Sequence, residues 1–426
     1  MKGVAESALS IGNVIRIEVD RLAFGGEGVA RYQGLVVFVP LAAAGDVLDA
    51  KIVEIKKNFA RASIVQVVRP SLDRRVPPCR YFGECGGCQL QHLSYEAQLR
   101  AKAGFIRDSL RKIGGIDWPH EIEVKPSPEF GYRSRAQLKL DRQKATPGVG
   151  ADSDHPAQDH AGDYYRILVG FHQRNSHAIC DIEECAVLES GLNSTLRDLR
   201  VGLNSSGSTV EPPETIDLAS GDSGIVGNRP LAGIPDGSVE RRIGPYTYQF
   251  SASTFFQANP SVIWPLIESA TSDVTGRLAI DLYAGVGLFT LPLSTRFDEV
   301  VGVEATAEAA AFAARNIARS GQRNIEFRRS RSEDWLRDYA DRVAAARSAA
   351  ADFILLDPPR GGIEGAGKHL IRAAPSRICY VSCNPATLSR DLARLTKNGY
   401  GIDKLEGFDL FPQTYHVETI ARLSRS

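Results

Sequence analysis

The sequence has no long apolar run and no excess of charge of either sign. No stretch approaches the roughly 18 consecutive apolar residues of a membrane-spanning helix, and the N-terminal residues MKGVAESALS lack the apolar core of an export signal. Lysine plus arginine and aspartate plus glutamate number 51 each, so the formal net charge is zero. This balance argues against a protein coated in positive charge but is compatible with a local basic groove. We therefore expect a cytoplasmic protein with no membrane partner and no obligate protein partner.

Cysteine is also sparse, with seven residues in a chain of 426. An odd number of cysteines without an export signal disfavours a disulfide framework and favours metal-binding or catalytic roles. The apolar share of 43% is ordinary for globular proteins. The length predicts about two to four domains.

Residues 1–70 predict a small antiparallel β-barrel. Four short segments rich in valine and isoleucine are separated by glycine-containing turns, and they span residues 15–19, 34–40, 46–55 and 60–68. Lysine, arginine and aromatic residues lie on or between the last strands. Barrels of this composition often bind single-stranded nucleic acid, although a solvated charged face has the same composition.

Residues 71–255 predict a central domain, which follows a proline- and arginine-rich linker and begins with a cluster of cysteines. Cys79, Cys85 and Cys88 lie in the run C-R-Y-F-G-E-C-G-G-C. The glycines let the backbone turn tightly around a bound centre, so the cluster indicates a metal site that needs a fourth ligand. The spacing suits an iron–sulfur centre, whereas zinc would favour paired C-x-x-C ligands.

The rest of the central domain combines a helix with short strands and long loops. An apolar stripe predicts an amphipathic helix over 95–113, and we expect strands over 136–140, 165–171 and 176–182. Two stretches that are low in apolar residues, 141–163 and 202–237, predict long surface loops.

Residues 256–426 alternate between strand-like and helix-like segments, which predicts an α/β domain with a parallel sheet. One strand ends at Asp281 before a G-V-G turn, the next ends at Glu304, and a later one ends at Asp357 in L-D-P-P-R. Such a turn lets a ligand approach a helix N-terminus, and a carboxylate about 20 residues further on commonly holds a ribose. This order resembles the class I S-adenosylmethionine-dependent methyltransferases, which implies a Rossmann-like sheet and an S-adenosylmethionine site.

Cys383 lies where a predicted strand meets a predicted helix, in V-S-C-N-P-A-T-L. Asn384 suits the N-cap of that helix, and Pro385 suits its first turn. A thiol at this point faces the positive end of the helix dipole, which lowers the thiol pKa and favours the thiolate. The alternative is a buried structural cysteine, which describes most single cysteines in strands.

A thiolate beside a methyl-donor site suggests an acceptor carbon that must first be activated. Uracil C5 is a poor nucleophile, and addition of a thiolate to C6 gives C5 carbanion character. After methylation C5 still carries a proton, and a base must remove it before the enzyme is released. Glu418 is the candidate base and His416 is its rival, while a salt-bridged strand carboxylate is the structural alternative for Glu418.

Together these motifs resemble those of the RNA uracil-5-methyltransferases, which make 5-methyluridine in ribosomal or transfer RNA. The resemblance covers nearly the whole chain: a TRAM-like barrel, the cysteine cluster, F-F-Q-A-N-P, D-L-Y-A-G-V-G-L-F, L-D-P-P-R, S-C-N-P-A-T-L and H-V-E-T. It implies that Cys383 is the nucleophile and Glu418 the base. The cofactor contacts that it implies are Gln257, Tyr283, Glu304 and Asp357. The sequence departs from the family at Leu288, where some members have asparagine, and at Arg331, where asparagine or aspartate often supports the adenine.

The cysteine cluster points to one branch of that family. In the ribosomal RNA branch these cysteines carry a 4Fe–4S cluster, and a fourth cysteine lies downstream in a C-P-V-L-like motif. Here Cys185 matches in C-A-V-L, and Cys180 is a nearby competitor at a position that is usually aliphatic in the family. The ligands that the resemblance implies are Cys79, Cys85, Cys88 and Cys185. It also favours 23S ribosomal RNA as the substrate.

Three other functions are weighed against this one. The same chemistry on transfer RNA is the first. A cytosine-C5 or N-methyltransferase fits less well, because the cytosine enzymes of similar type carry a cysteine within the motif that here reads L-D-P-P-R. A non-catalytic RNA-binding relic does not explain why Cys383 and Glu418 are both present.

Overall fold

The computed structural model describes residues 9–144, 157–158, 164–205 and 211–425. Most of the loop predicted over 141–163 therefore lies outside the described residues. Within the described ranges, the strands form a closed barrel, a six-stranded sheet, a two-stranded hairpin and an eight-stranded sheet. No helix in those ranges is both long enough and apolar enough to cross a membrane.

The N-terminal strands close into a barrel, as the sequence predicts. The strands are β1 (Val14–Leu22), β2 (Gly28–Tyr32), β3 (Leu35–Val39), β4 (Val47–Ile55) and β5 (Phe59–Arg69). They close in the order β1-β2-β3-β5-β4. The prediction of a wholly antiparallel barrel is wrong, because the chain crosses from β3 to β4 before β5 returns beside β3, and β3 and β5 therefore pair in parallel. Alternate side chains of β1, namely Ile15, Ile17 and Val19, fill the barrel interior. The sequence does not indicate β2, because this five-residue strand begins with glycine and has one β-branched residue.

The segment that follows the barrel packs on the C-terminal sheet. It contains α1 (Tyr95–Ser109), a π-helical turn (Leu110–Gly114) and β6 (Val124–Lys125). Ser94 caps α1, because its side chain accepts a hydrogen bond from the N–H of Ala97 at 3.3 Å. Ile106 and Leu110 share a buried core with the C-terminal domain.

The central sheet is larger than the sequence suggests. It contains β7 (Arg135–Lys144), β8 (Ala157–Gln158), β9 (Tyr164–His172), β10 (Ile179–Asp181), β11 (Thr215–Gly221) and β12 (Gly224–Gly227), and it packs against α2 (Ser190–Asn204). Its order is β10-β9-β7-β11-β12, with β8 beside β9. The long loop predicted over 202–237 is wrong, because β11 and β12 lie within it. In β11 only Ile216 and Leu218 carry the apolar alternation, and polar residues around them dilute the signal.

The C-terminal domain has the predicted α/β architecture. The hairpin β13 (Ser238–Ile243) and β14 (Tyr246–Ser251) precedes it. The elements that follow are α3 (Pro260–Thr271), β15 (Gly276–Leu282), α4 (Thr290–Ser294), β16 (Phe297–Glu304), α5 (Ala307–Ser320), β17 (Ile325–Arg329), α6 (Ser332–Ala344), β18 (Phe353–Leu356), α7 (Gly367–Ala373), β19 (Arg377–Ser382), α8 (Pro385–Thr396), β20 (Tyr400–Phe408) and β21 (Glu418–Arg425).

The strands from β15 to β21, together with β6, form one sheet in the order β17-β16-β15-β18-β19-β21-β20-β6. The strands from β17 to β19 are parallel, whereas β21 is antiparallel to both β19 and β20. Two buried cores cover the two faces of this sheet. The carboxyl ends of the parallel strands meet at one edge, which is where open α/β sheets bind ligands.

Candidate active site

One cavity of about 730 Å³ lies at the carboxyl ends of the parallel strands. All the residues predicted to bind the cofactor or to act in catalysis line it, namely Gln257, Tyr283, Glu304, Asp357, Cys383 and Glu418. They come from the segment before α3, from the ends of four strands and from the start of β21. Residues far apart in the sequence thus meet in one cavity.

The turn after β15 has an unusual backbone. Tyr283, Gly285 and Gly287 have φ values of +63°, +56° and +90°, a region that glycine adopts freely and an aromatic residue rarely does. The N–H of Tyr283 donates a hydrogen bond to Oγ of Ser332 at 3.1 Å, which helps to hold the strained residue. The sequence does not single out Ser332, since it begins α6 without any ligand-type signature.

Glu304 holds this turn from the end of β16. Its Oε2 accepts a hydrogen bond from the N–H of Gly285 at 3.0 Å, and its Oε1 accepts one from the N–H of Thr306 at 2.7 Å. The carboxylate thus fixes the turn while it lines the cavity. Each oxygen retains lone-pair capacity for a ligand hydroxyl.

Asp281 lies beneath the cavity and is fully buried. Thr290 donates a hydrogen bond to its Oδ2 at 2.6 Å, whereas its Oδ1 has no partner among the described residues. Burial, opposed by the Thr290 contact and reinforced by the charges of Asp357 and Glu304, raises the pKa of Asp281 to about 7.

Cys383 sits at the N-terminus of α8, as predicted. Asn384 caps the helix, because its side chain accepts a hydrogen bond from the N–H of Ala386 at 3.0 Å. The N–H of Asn384 itself donates to Oγ of Ser382 at 3.2 Å. The amides of Asn384 and Ala386 are therefore engaged by capping side chains.

The predicted lowering of the Cys383 pKa is wrong for the free protein. Burial and the neighbouring carboxylates of Glu418 and Asp357 raise the pKa of Cys383 to about 11, although Arg360 opposes them. The helix dipole is too weak to outweigh this environment, because the nearby amides already have partners. The thiol is therefore protonated at neutral pH until a ligand changes its surroundings.

Two carboxyl groups in the cavity wall, those of Glu418 and Asp357, have raised pKa values. Glu418 is 3% exposed, and burial together with the charge of Asp357 raises its pKa well above the usual range. Burial raises the pKa of Asp357 to about 7. His416 lines the same cavity, and burial, with the positive charges of Arg360, Lys102 and Arg133, lowers its pKa to about 4.

The L-D-P-P-R loop is tied to the helix that carries the cysteine. The carbonyl of Arg360 accepts hydrogen bonds from Nδ2 of Asn384 at 3.2 Å and from Oγ1 of Thr387 at 3.1 Å. The two prolines fix the backbone between Asp357 and Arg360. This loop and Cys383 therefore keep a fixed relation to each other.

Phe255 lies at the mouth of the cavity and is 70% exposed. Its neighbour Phe256 is buried and stacks on Phe250, with ring centroids 4.1 Å apart. The F-F-Q motif indicates this segment, but only the structure distinguishes the outward ring from the inward one.

The predicted metal ligands line a second cavity, of about 690 Å³. The cysteines in its wall are Cys79, Cys85, Cys88 and Cys185. Cys180 lies beside Cys85 but is 1% exposed and does not line the cavity. In the described ranges, no group of three or more histidine, cysteine, aspartate or glutamate side chains is compact enough to hold a metal ion. The four thiols instead surround a common space.

Glycines and an asparagine shape the wall of this cysteine cavity. The N–H of Gly86 donates to the carbonyl of His172 at 2.9 Å, and a Cβ on Gly86 would lie only 3.0 Å from that oxygen. The side chain of Asn193 accepts from the N–H of Cys185 at 2.8 Å and donates to its carbonyl at 3.0 Å. Hydrogen bonds therefore fix the backbone both beside Cys85, at Gly86, and at Cys185.

The two cavities are neighbours, because Gly87 and Arg133 line both of them. The basic side chains in the wall of the cysteine cavity are Arg61, Arg133, Lys139 and Arg174; Glu27 and Glu184 line it as well, and Glu27 pairs with Arg61. A chain with no net charge thus presents a local group of basic residues beside the candidate active site.

Two family models match the chain. Residues 239–426 match the family described as tRNA (Uracil-5-)-methyltransferase, and residues 9–65 match the TRAM domain. The second match covers most of the N-terminal barrel, and the first covers the hairpin β13–β14 and the C-terminal sheet.

Similar sequences match over nearly the full length. An uncharacterized RNA methyltransferase of Aquifex aeolicus is 31% identical over 96% of this chain and 98% of its own. The 23S rRNA (uracil(1939)-C(5))-methyltransferase RlmD of Shewanella amazonensis is also 31% identical, over 99% of this chain and 98% of its own.

A solved structure has the same overall fold. The tRNA (uracil-54, C5)-methyltransferase of Pyrococcus abyssi, determined with S-adenosyl-L-homocysteine, is 25% identical to this chain. The match covers 96% of this chain and 100% of the other, with a TM-score of 0.68.

Proposed function

The chain belongs to the family of RNA uracil-5-methyltransferases, and on that basis we propose that it methylates C5 of a uridine in 23S ribosomal RNA with S-adenosylmethionine as donor. The observation that carries this proposal is the meeting of Cys383, Glu418 and the three strand-end residues Tyr283, Glu304 and Asp357 in one cavity. The RlmD relative, whose name gives 23S rRNA as its substrate, supports the choice of RNA.

S-adenosylmethionine supplies an electrophilic methyl group on a cationic sulfur when it is bound. The residues proposed to hold it are Gln257, Tyr283, Glu304 and Asp357. Glu304 suits a ribose, because its oxygens are fixed by Gly285 and Thr306 and face the cavity. Asp357 suits the positively charged part of the ligand, because a cation beside it offsets the cost of its burial.

Cys383 is proposed as the nucleophile. Its sulfur adds to C6 of the uracil, a C6–S bond forms, and the electrons of the C5=C6 double bond become available at C5. The thiol must first lose its proton to solvent; the charges of Glu418 and Asp357 oppose this loss, and a cationic ligand beside them would favour it. The target base has to leave its stack to reach the thiol.

Glu418 is proposed as the base that ends the reaction. It takes the C5 proton, the C5=C6 double bond re-forms, and the C6–S bond breaks to release Cys383. Once ionised, which a cationic ligand beside it would favour, a carboxylate with a raised pKa is a stronger base than an ordinary one, whereas the lowered pKa of His416 makes that imidazole a weaker base. This difference favours Glu418 over His416.

The residues proposed to hold a 4Fe–4S cluster are Cys79, Cys85, Cys88 and Cys185. In such a cluster each thiolate binds a different iron, so ligands spread around a central space suit it. Cys180 is the weaker candidate for the fourth ligand, because it does not face that space. The cluster would organise the basic surface beside the active site.

The chain is proposed to work as an RNA-binding barrel over 1–70, a cluster-bearing domain over 71–255 and a catalytic domain over 256–426. By sequence α1 and β6 fall in the second unit, yet they pack on the sheet of the third. A cytoplasmic location is proposed together with the RNA substrate.

Transfer RNA is the second candidate substrate, because the Pyrococcus abyssi protein, whose fold matches nearly the whole chain, acts on uracil 54 of transfer RNA. The test is incubation of the purified protein with unmodified 23S ribosomal RNA and unmodified transfer RNA, followed by mass mapping of 5-methyluridine. Methylation of ribosomal RNA alone supports the proposal, and methylation of transfer RNA alone overturns it.

A further inference from the structure

Gln413 is a buried residue that does not line the active-site cavity. It is 0% exposed, and its φ of +70° lies in the left-handed region that residues other than glycine rarely adopt. Such a conformation persists only where the surroundings hold it firmly. The contacts of Gln413 therefore identify the interactions that stabilise this backbone conformation.

The side chain of Gln413 joins three segments that are distant in sequence. Its Oε1 accepts hydrogen bonds from Nε2 of Gln98 at 2.9 Å and from Nη2 of Arg75 at 3.2 Å. Its Nε2 donates to Oε2 of Glu129 at 3.2 Å. Arg75 and Glu129 also form an ion pair at 2.6 Å, so each of the three side chains of Gln413, Arg75 and Glu129 contacts the other two.

The backbone of Gln413 is tied to the cysteine segment. Its carbonyl accepts hydrogen bonds from the N–H groups of Gln89 and Leu90, both at 2.9 Å, and these residues directly follow Cys88. Its own N–H donates to Oε1 of Gln98 in α1 at 2.9 Å. One residue thus connects the cysteine loop to α1.

Gln413 lies in the connection between β20 and β21, residues 409–417, which we call the base loop. The loop is anchored at its start by Lys102, which is fully buried, pairs with Asp409 and donates to the carbonyl of Phe411 at 3.0 Å. It ends at Glu418, and Thr414 and His416 within it line the active-site cavity. A shift at Gln413 therefore moves the wall that carries Glu418.

We propose that Gln413 is a positioning residue for Glu418, holding the base loop against the cysteine loop and α1 so that the carboxylate faces C5 of the bound uracil. This inference rests on the proposed role of Glu418 as the base. Without Gln413 the removal of the C5 proton slows, and with it the re-formation of the C5=C6 bond and the breakage of the C6–S bond to Cys383. The earlier addition of Cys383 to C6 does not need the base.

The test compares full-length variants on an unmodified 23S ribosomal RNA transcript. Loss of a residue that orients a metal ligand typically costs about 10- to 100-fold in activity, and by analogy we expect a fall in kcat of that size for Gln413→Ala. The KM for S-adenosylmethionine should stay unchanged. A covalent RNA–protein adduct should accumulate on ordinary RNA, as it should for Glu418→Gln. The adduct on 5-fluorouridine RNA should form at the wild-type rate.

A rescue pair separates positioning from general stability. Gln413→Glu places a second carboxylate beside that of Glu129, and the two repel each other. This single variant should therefore release RNA slowly. Adding Glu129→Gln reverses donor and acceptor at the same contact and leaves Arg75 beside one carboxylate, so release should recover. Asn204→Ala is the control, because it removes a half-buried amide that bonds the backbone of Ile167 at 2.8 and 3.0 Å in the central sheet. Its release rate should be normal.

Three results would each overturn the inference. Gln413→Ala could release RNA at the wild-type rate, or it could turn over slowly without an adduct on ordinary RNA. The third is that the double variant, Gln413→Glu with Glu129→Gln, releases RNA as slowly as Gln413→Glu alone. If Gln413→Ala does not fold, the comparison of Gln413→Glu with the double variant tests the inference, because slow release in the first and recovery in the second are still expected. If Glu418→Gln itself releases RNA normally, the proposed base is wrong, and that outcome is distinct from a failure confined to Gln413.

Discussion

Cys383 and Glu418 directly follow the last residue pair of an antiparallel ladder and are close enough for the charge of Glu418 to raise the pKa of Cys383. The register of β19 and β21 joins Arg377 to Ser424 and ends without a shift at Ser382 and Thr419, so Cys383 and Glu418 are the next residues on the two sides. Residues directly opposite in such a pair have neighbouring side chains on one face. The fold thus brings the proposed nucleophile and the proposed base together through backbone pairing, although they are 35 residues apart in the sequence.

Replacement of the base should stop the reaction after methyl transfer. Because proton transfer by a positioned group typically contributes about 10²- to 10⁴-fold, we expect Glu418→Gln to slow turnover by that order. A methylated RNA should remain attached to the protein, and denaturing gel electrophoresis would detect it. His416→Ala should lose much less activity and should retain no RNA. Normal turnover by Glu418→Gln together with a trapped adduct in His416→Ala would identify His416 as the base.

Glu304 should determine cofactor affinity. A hydrogen bond to a charged group is worth about 1.5–3 kcal/mol, which corresponds to roughly 10- to 100-fold in binding. Glu304→Gln should weaken binding of S-adenosylhomocysteine by that factor in isothermal titration calorimetry. The matched control is Glu299→Gln at the other end of β16, where the carboxylate contacts Arg277 at 3.3 Å on the surface. Equal affinities of the Glu304 variant and the wild type would rule out this role.

The buried Asp281 should make the protein less stable as the pH rises. Its pKa is raised from 3.8 to about 7 in the folded protein, so folding favours the protonated form. The stability gained from this preference is complete below about pH 4 and is lost as the pH rises through about 7. Asp281→Asn should therefore be more stable than the wild type at pH 8, and the difference should narrow at pH 5.5. Thermal unfolding at both pH values tests this, and a difference that grows at low pH would contradict it.

The cysteine cavity should contain iron and sulfide. Protein purified without oxygen should be brown and hold about four irons and four sulfides per chain, as a 4Fe–4S cluster requires. Cys185→Ala should lose the colour and most of the iron, whereas Cys180→Ala should keep both. Stoichiometric zinc without sulfide would reject the cluster, and the reverse behaviour of the two variants would make Cys180 the fourth ligand.

The architecture and the members of the active site follow from sequence because each depends on a local pattern. Apolar runs that end in Asp281, Glu304 and Asp357 indicate strand ends, and parallel strand ends meet at one edge. The N-cap and proline after Cys383 indicate a helix start. These local signals predict the parallel sheet, its edge and the residues on it.

Other features depend on contacts that no local pattern reveals. The sequence does not predict β11, because only two of its side chains carry the apolar alternation and their neighbours are polar. The raised pKa of Cys383 arises from its burial and from the charges of Glu418 and Asp357, so the helix-dipole argument alone gives the wrong direction. Gln413 has no sequence signature, since its role lies in hydrogen bonds to Gln98 and to the cysteine loop.

The central claim is that Cys383 forms a covalent bond to C6 of a uridine. The most direct measurement is denaturing electrophoresis and mass spectrometry of the protein after incubation with S-adenosylmethionine and a 23S ribosomal RNA transcript containing 5-fluorouridine. Fluorine at C5 prevents the final elimination, so the wild type should remain attached to the RNA through a peptide that contains Cys383. Cys379→Ala, which changes a fully buried cysteine in the same strand, should still form the adduct. We expect Cys383→Ala to form none, and an unchanged adduct in that variant would contradict the account.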